Sequence, residues 1–421
     1  LSIKNINVLW ANKSDNGFDI VIGNPPYIDS ETMVKIDDKL RKVYSQNYSC
    51  AKGNWDIFVL FIQLSLNICN NKGIYSLIIP NKIIASKYAI AIRQLMSTYF
   101  IYEIRDYSNV EVFQNASVYP CTIIGSKAYI RNSNFIVMNN ICDTKKKNII
   151  DKELFNSCEY WDVFFNSEGT ISIIKTFLSQ PKLSDNKNFI IQGAATVEEA
   201  YRLKELMIDS EYTDKESFKI INTGTIDRYM YYWGIKEMQY IKDKYLYPRV
   251  TKDKLKTLSE NRLKQSNSSK IIIAGMSKVI EAIIDFGECV AAKSTTLILS
   301  KNEIILKILL AILNSKYTSF CIGTIFNSLK MSGGYLNYGV RELSLVAFPS
   351  LSKNDFNTLQ FIIDQILSAK KENSNADTSN LENEIDILVY KMFNLTFDEV
   401  KVIDPNIENI ISKQDYEKKS E

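Results

Sequence analysis

The chain has 421 residues, 46% of them hydrophobic, enough for two domains that each bury a core. Its formal net charge is only +3, so a nucleic-acid surface must be a local patch and not a global basic field. There is no histidine, which excludes Ser-His-Asp triads, Cys-His dyads, imidazole metal sites and imidazole acid–base chemistry together. The cysteines, Cys50, Cys69, Cys121, Cys142, Cys158, Cys289 and Cys321, are scattered without a CxxC pair and read as reduced, mostly buried thiols of a cytoplasmic protein. No signal peptide and no membrane-length apolar run is present, so no membrane partner is expected.

In chain order, Phe18–Ile22 is a short apolar strand stopped by Gly23 and followed by Asn24, Pro25, Pro26 and Tyr27. Residues 54–73 read as a buried helix ending at Gly73, and 74–80 as a strand stopped by Pro80. Residues 87–100 read as a helix with an apolar face, and 101–108 and 119–130 as further strands. This alternation predicts an α/β sheet in residues 1–130 with ligands at the carboxyl ends of its strands. The pattern weakens over 131–185, where the charged "DTKKKNIIDK" reads as a linker. Residues 186–350 are a mixed α+β region of short strands interrupted by one helix, "IILKILLAILNSKYTSF". Residues 351–421 are a helical hairpin of two amphipathic helices and a polar tail.

The turn "NPPY" carries the chemistry. Two adjacent prolines fix φ and supply no N–H, so Pro25 and Pro26 neither continue a ladder nor enter a helix interior. The turn is therefore stiff. The Asn24 amide oxygen and the Pro25 carbonyl are two acceptors suited to a primary amine with two N–H donors. Tyr27 adds a flat face beside them. An amine on a planar ring describes adenine.

"NPPY" after a short strand resembles motif IV of the N6-adenine DNA methyltransferases. The downstream pattern resembles their gamma class with its TaqI-like carboxyl-terminal specificity domain, and the modification half of type IIG restriction-modification enzymes. The resemblance implies the carboxyl-terminal half of a Rossmann-like methyltransferase sheet in residues 1–130, a DNA target-recognition domain in 186–350, and double-stranded DNA as partner. It implies a flipped adenine whose N6 amine donates to Asn24 Oδ1 and the Pro25 carbonyl, so that the nitrogen attacks the methyl of S-adenosylmethionine. It assigns Asn24, Pro25, Pro26 and Tyr27 to catalysis, with no metal. "VEVFQNASVYPCTIIG" resembles motif VIII, which makes Phe113 the second aromatic stacked on the base; each stack is worth about 1–3 kcal/mol by analogy with single-strand binders. Asp56 in "KGNWDIF" falls where the family often has a polar residue near the active site.

In the second domain the candidate DNA contacts are Arg228, Tyr229, Tyr231, Tyr232, Trp233, Arg249, Lys278, Lys293, Lys330 and Arg341, the cations for phosphates and a few side chains for base edges. The family's glycine-rich cofactor loop lies upstream of NPPY, and the 23 residues before Asn24 contain none. With Leu1 in place of Met, the expectation is an N-terminally truncated enzyme of bacterial or archaeal, nucleoid-associated type. Such a chain would lack the main cofactor loop, be inactive alone and self-associate through an open strand edge. Two alternatives stay open: a non-catalytic DNA-binding specificity module, and a protein or RNA methyltransferase using the same turn.

Overall fold

The computed structural model describes residues 17–108, 110, 112, 119–128, 135–140, 147–212 and 216–418, with backbone alone at 135–140, 147, 151 and 157. It forms two compact units, Leu1–Glu168 with Ile325–Leu329, and Gly169–Thr324 with Lys330–Glu421.

The first unit is built on a six-stranded mixed sheet of β1 (Phe18–Gly23), β2 (Cys69–Pro80), β3 (Phe100–Asp106), β4 (Pro120–Ser126), β5 (Phe135–Asn140) and β6 (Lys147–Asp151). The spatial order is β1-β2-β4-β3-β5-β6. β1 runs parallel to β2, β4 is antiparallel to both β2 and β3, and β5 is parallel to β3. Among the described residues β1 pairs only with β2, and its Ile20 and Ile22 are 64% and 79% exposed. Alternation places Tyr75, Leu77 and Ile79 of β2 in the core, under the apolar helix α2 (Phe58–Ile68). Gly125 of β4 faces Tyr75, and a Cβ there would come within 2.8 Å of the Phe100 carbonyl, so only glycine permits this approach of β3, β4 and β2.

Three features differ from the sequence expectations. The helix expected over 54–73 stops at Ile68, because Cys69 already pairs with Phe18 and the Asn70 amide donates to the Asp19 carboxylate at 2.6 Å. Residues expected as a linker supply β5 and β6, and the first unit extends to Glu168. An unforeseen helix, α1 (Ser30–Asn47), follows the NPPY turn. Asp29 caps it by accepting from Thr32 N–H at 2.7 Å. It breaks at Asp37 (φ −161°, ψ 92°), whose carboxylate caps the second half through Leu40 N–H at 2.9 Å.

The second unit holds two four-stranded sheets. In one, Ser217–Ile221 lies between Cys289–Ala291 and Pro248–Thr251, with Ile208–Asp209 at the far side. In the other, Ser269–Ala274 lies between Ala282–Phe286 and Thr295–Leu299, with Ile190–Gly193 beyond. The single helix expected over 304–320 is two, Glu303–Asn314 and Lys316–Ile325, bent by 63°. Ser315 makes the corner: its backbone is extended, and its hydroxyl accepts from Thr318 N–H at 3.2 Å, capping the second helix. Among the described residues no single helix is long and apolar enough to cross a membrane. The hairpin of Lys353–Glu372 and Ser379–Met392 is present, and the six described cysteines are free, while Cys142 lies outside the described residues.

Candidate active site

Strand directions bring the chemistry to one end of the first sheet. β1 ends at Gly23 and leads into Asn24, β2 ends at Pro80, and β3 ends at Asp106, while β4 starts there at Pro120. Asn81 is fixed by its N–H to the Tyr119 carbonyl at 2.8 Å and by its side chain to Ser108 Oγ at 2.9 Å. Ser108 in turn donates through Oγ and N–H to Asp106, whose burial pushes its carboxyl above the usual range.

The NPPY turn lies at this end. Asn24 is exposed, and among the described residues nothing occupies its amide; Pro25 is buried. Tyr27 is half-buried and points its hydroxyl inward, so burial, with the Cys121 thiol adding to it, raises its pKa to about 12. Phe113 lies outside the described residues.

Asp56, 7% exposed, is an anchor that sequence reasoning placed only loosely. It accepts from Ser30 N–H at 3.1 Å and from the Tyr88 hydroxyl at 2.6 Å. Burial and the adjacent Asp56 carboxylate hold the Tyr88 phenol well above its ordinary pKa. Arg41, missed entirely, donates to Ser30 Oγ at 3.1 Å and the Gly53 carbonyl at 3.0 Å, with its guanidinium 4.8 Å from the Trp55 ring centre. A cavity of about 240 Å³ beside Pro26 is lined mainly by apolar side chains, among them Ile28, Met33, Ile57 and Phe61. Among the described residues no three Cys, Asp or Glu side chains are grouped to hold a metal.

In the second unit the candidates divide by burial. Tyr229 is 4% exposed at φ +67°, packed in the core of this unit. Arg249 is 2% exposed, bonded to the Ser210 carbonyl at 3.1 Å and Ser217 Oγ at 3.1 Å, with its guanidinium 4.5 Å from the Trp233 ring centre. Both side chains are buried within this unit. Arg228 is paired with Glu382 at 2.8 Å. Tyr232 donates to Asp227 at 2.8 Å, and this bond holds its pKa at about 12. Lys219 Nζ donates to Tyr231 at 3.1 Å and lies 5.4 Å from the Trp233 ring centre. Lys330 and Arg341 are half-buried. Lys278 and Lys293 are exposed at one end of the second four-stranded sheet, where Ala274 pairs with Thr295.

Residues 2–113 match the family described as Eco57I restriction-modification methylase. Over 119 residues the chain is 28% identical to the type II restriction enzyme and methyltransferase RM.Eco57I of Escherichia coli, covering 28% of this chain and 12% of that protein. Over 127 residues it is 30% identical to the type II methyltransferase M.BstVI of Geobacillus stearothermophilus, covering 29% of this chain and 22% of that one. The fold is shared with the type IIL restriction-modification enzyme MmeI, solved in complex with DNA, over 93% of this chain and 57% of that one, at TM-score 0.52 and 13% identity. The chain thus spans under a quarter of the length of these curated relatives. Its first unit, through residues 2–113, is similar to the restriction-modification methylases.

Proposed function

We propose that this chain carries the adenine half of an S-adenosylmethionine-dependent N6-adenine DNA methyltransferase, together with a DNA-recognising second unit. The observation that carries the reading is the exposed Asn24 amide beside the rigid Pro25 carbonyl at the carboxyl end of β1, in the segment matched by the methylase family. A base turned out of the duplex would place its exocyclic amine against these two acceptors. Asn24 Oδ1 and the Pro25 carbonyl take one N–H each, which concentrates the nitrogen lone pair outward. Because the prolines fix the acceptors beforehand, little reorganisation accompanies reaction. Tyr27 supports the ring and, with its hydroxyl turned inward, takes no proton.

S-adenosylmethionine supplies the methyl group. The described residues fit it in part: the apolar cavity beside Pro26 can take a flat ring, while no glycine-rich loop lies among them. DNA as substrate is supported by the second unit, by MmeI's complex with DNA, and by the exposed Lys278 and Lys293.

The reading is tested by assaying methyl transfer from labelled S-adenosylmethionine to duplexes containing or lacking adenine, using the full gene product. Incorporation into N6-methyladenine supports it; incorporation into protein or RNA alone overturns it. With 2-aminopurine at the target position, Tyr27→Phe should keep the enhanced fluorescence of the extra-helical base. Tyr27→Ala with Phe113→Ala should lose most of it, since each lost stack costs about 1–3 kcal/mol. Equal fluorescence in the double variant would remove these two rings from base holding. For duplex binding, Lys278→Ala with Lys293→Ala should reduce the slope of log K against log salt by about 2, with little change in sequence preference. An unchanged slope would place the phosphate contacts elsewhere.

A further inference from the structure

We infer that Asp56 is a positioning residue for methyl transfer, holding the NPPY turn in register from behind; this rests on the methyltransferase reading. The turn needs such a hold. Pro25 and Pro26 have no N–H, so the segment has few bonds with which to fix itself. Two direct hydrogen bonds and one bridge through Arg41 instead join its exit to residues 53–57. Ile57 N–H donates to the Ile28 carbonyl at 3.0 Å, and Ser30 N–H to Asp56 Oδ1 at 3.1 Å. Arg41 bridges Ser30 Oγ at 3.1 Å and the Gly53 carbonyl at 3.0 Å. The second Asp56 oxygen takes the Tyr88 hydroxyl at 2.6 Å, and Tyr88 sits on the turn Lys87–Ala89 that follows β2. Asp56 therefore ties the exit of β1 to the segment beyond β2, the neighbouring strand.

The consequence is mechanical. Ser30 lies six residues beyond Asn24, and two of the five residues between them, Pro25 and Pro26, have a fixed φ that stiffens the connection. A shift at Ser30 is carried to the Asn24 and Pro25 acceptors instead of being absorbed. A displacement near 1 Å at reacting groups costs about 100-fold in rate. Asp56 is buried and does not face the Asn24 side of the turn with a free oxygen, because both of its oxygens are taken. Its role is the direction of the acceptors, and it reaches no substrate.

The test compares Asp56→Ala, Asp56→Asn, Tyr88→Phe and Asn24→Ala in the full gene product, measuring kcat, KM for duplex and thermal melting. Asp56→Ala should lower kcat about 100-fold while KM moves less than about 3-fold. Asp56→Asn keeps an acceptor for Ser30 N–H and a polar partner for Tyr88, and should return kcat to within about 5-fold of the parent. Tyr88→Phe removes one of the two bonds and should fall between them. Should Asp56→Ala fail to fold, the Asp56→Asn and Tyr88→Phe pair decides. Unchanged kcat in Tyr88→Phe or in Asp56→Ala, or a loss in Asp56→Ala that tracks melting and is not restored by Asn, overturns the inference. If Asn24→Ala is inactive while Asp56→Ala is active, only this inference fails; if Asn24→Ala is active, the methyltransferase reading itself fails.

Discussion

Replacing Asn24 by alanine should lower methyl transfer by about 100–1,000-fold while leaving duplex affinity within about 3-fold of the parent. The size follows from the site. On the proposed reading two acceptors, Asn24 Oδ1 and the Pro25 carbonyl, would face the amine, and removing one would leave a N–H of the base without a partner beside Tyr27. The interaction strengthens as the nitrogen attacks, so its loss falls on the chemical step more than on binding. Stability should hardly change, because Asn24 is exposed and none of the described residues bonds its amide. Asn24→Asp is the informative companion. A carboxylate is acceptor-only, so it should retain more activity than alanine. Single-turnover assays beside fluorescence titration of duplex separate the two quantities. Parental turnover in Asn24→Ala would remove the NPPY turn from the chemistry.

The strands that border the site were legible because their signals are local. Phe18–Ile22 is short, apolar and punctuated by Gly23, and Pro80 stops the next strand. The turn was legible because two prolines beside an asparagine leave few conformations. What escaped depends on pairing across the chain. Cys69–Gly73 continues a helical pattern in sequence, yet its partner Phe18 draws Cys69 into β2. β5 and β6 escaped because each is short and becomes a strand only when its neighbour is there to receive it, β3 for β5 and β5 for the charged β6. Helix α1 had a readable start, Asp29 before Ser30-Glu31-Thr32, but its exposed Val34, Ile36 and Leu40 blur the amphipathic pattern. Arg41 is one of 51 basic residues, and nothing local marks it as the one that reaches back to Ser30. The burial of Tyr229 and Arg249 escaped for the converse reason: a tyrosine or a cation among other polar residues gives no local sign of being in the core.

In the second unit, Asp285→Ala should cost about 3–5 kcal/mol of stability, the range for breaking one partner of a buried ion pair. Lys270 and Asp285 face each other across adjacent strands with side chains 1% and 3% exposed, and the ammonium donates directly to the carboxylate. The remaining Lys270 donors go to the Ser266 carbonyl at 3.1 Å and the Ser268 carbonyl at 3.2 Å. Asp285 in turn accepts from the N–H groups of Gly287, Glu288 and Cys289 at 3.2, 3.1 and 3.3 Å. Those N–H groups form the corner by which the chain leaves one four-stranded sheet at Phe286 and enters the other at Cys289. Gly287 turns it at φ +92°, where a side chain would meet the Asn267 carbonyl at 2.7 Å. Alanine at 285 therefore strands a buried charge and unties the link between the sheets in one step. Replacing both partners by apolar residues, Lys270→Met with Asp285→Leu, removes the charge penalty but leaves the corner N–H groups unmet. The double variant should recover only part of the loss. In urea, the transition of the second unit should move to lower denaturant at unchanged slope, while that of the first unit stays in place. A shift worth less than about 1 kcal/mol in Asp285→Ala would mean that water reaches Lys270, and that the pair is not what holds the two sheets at this corner.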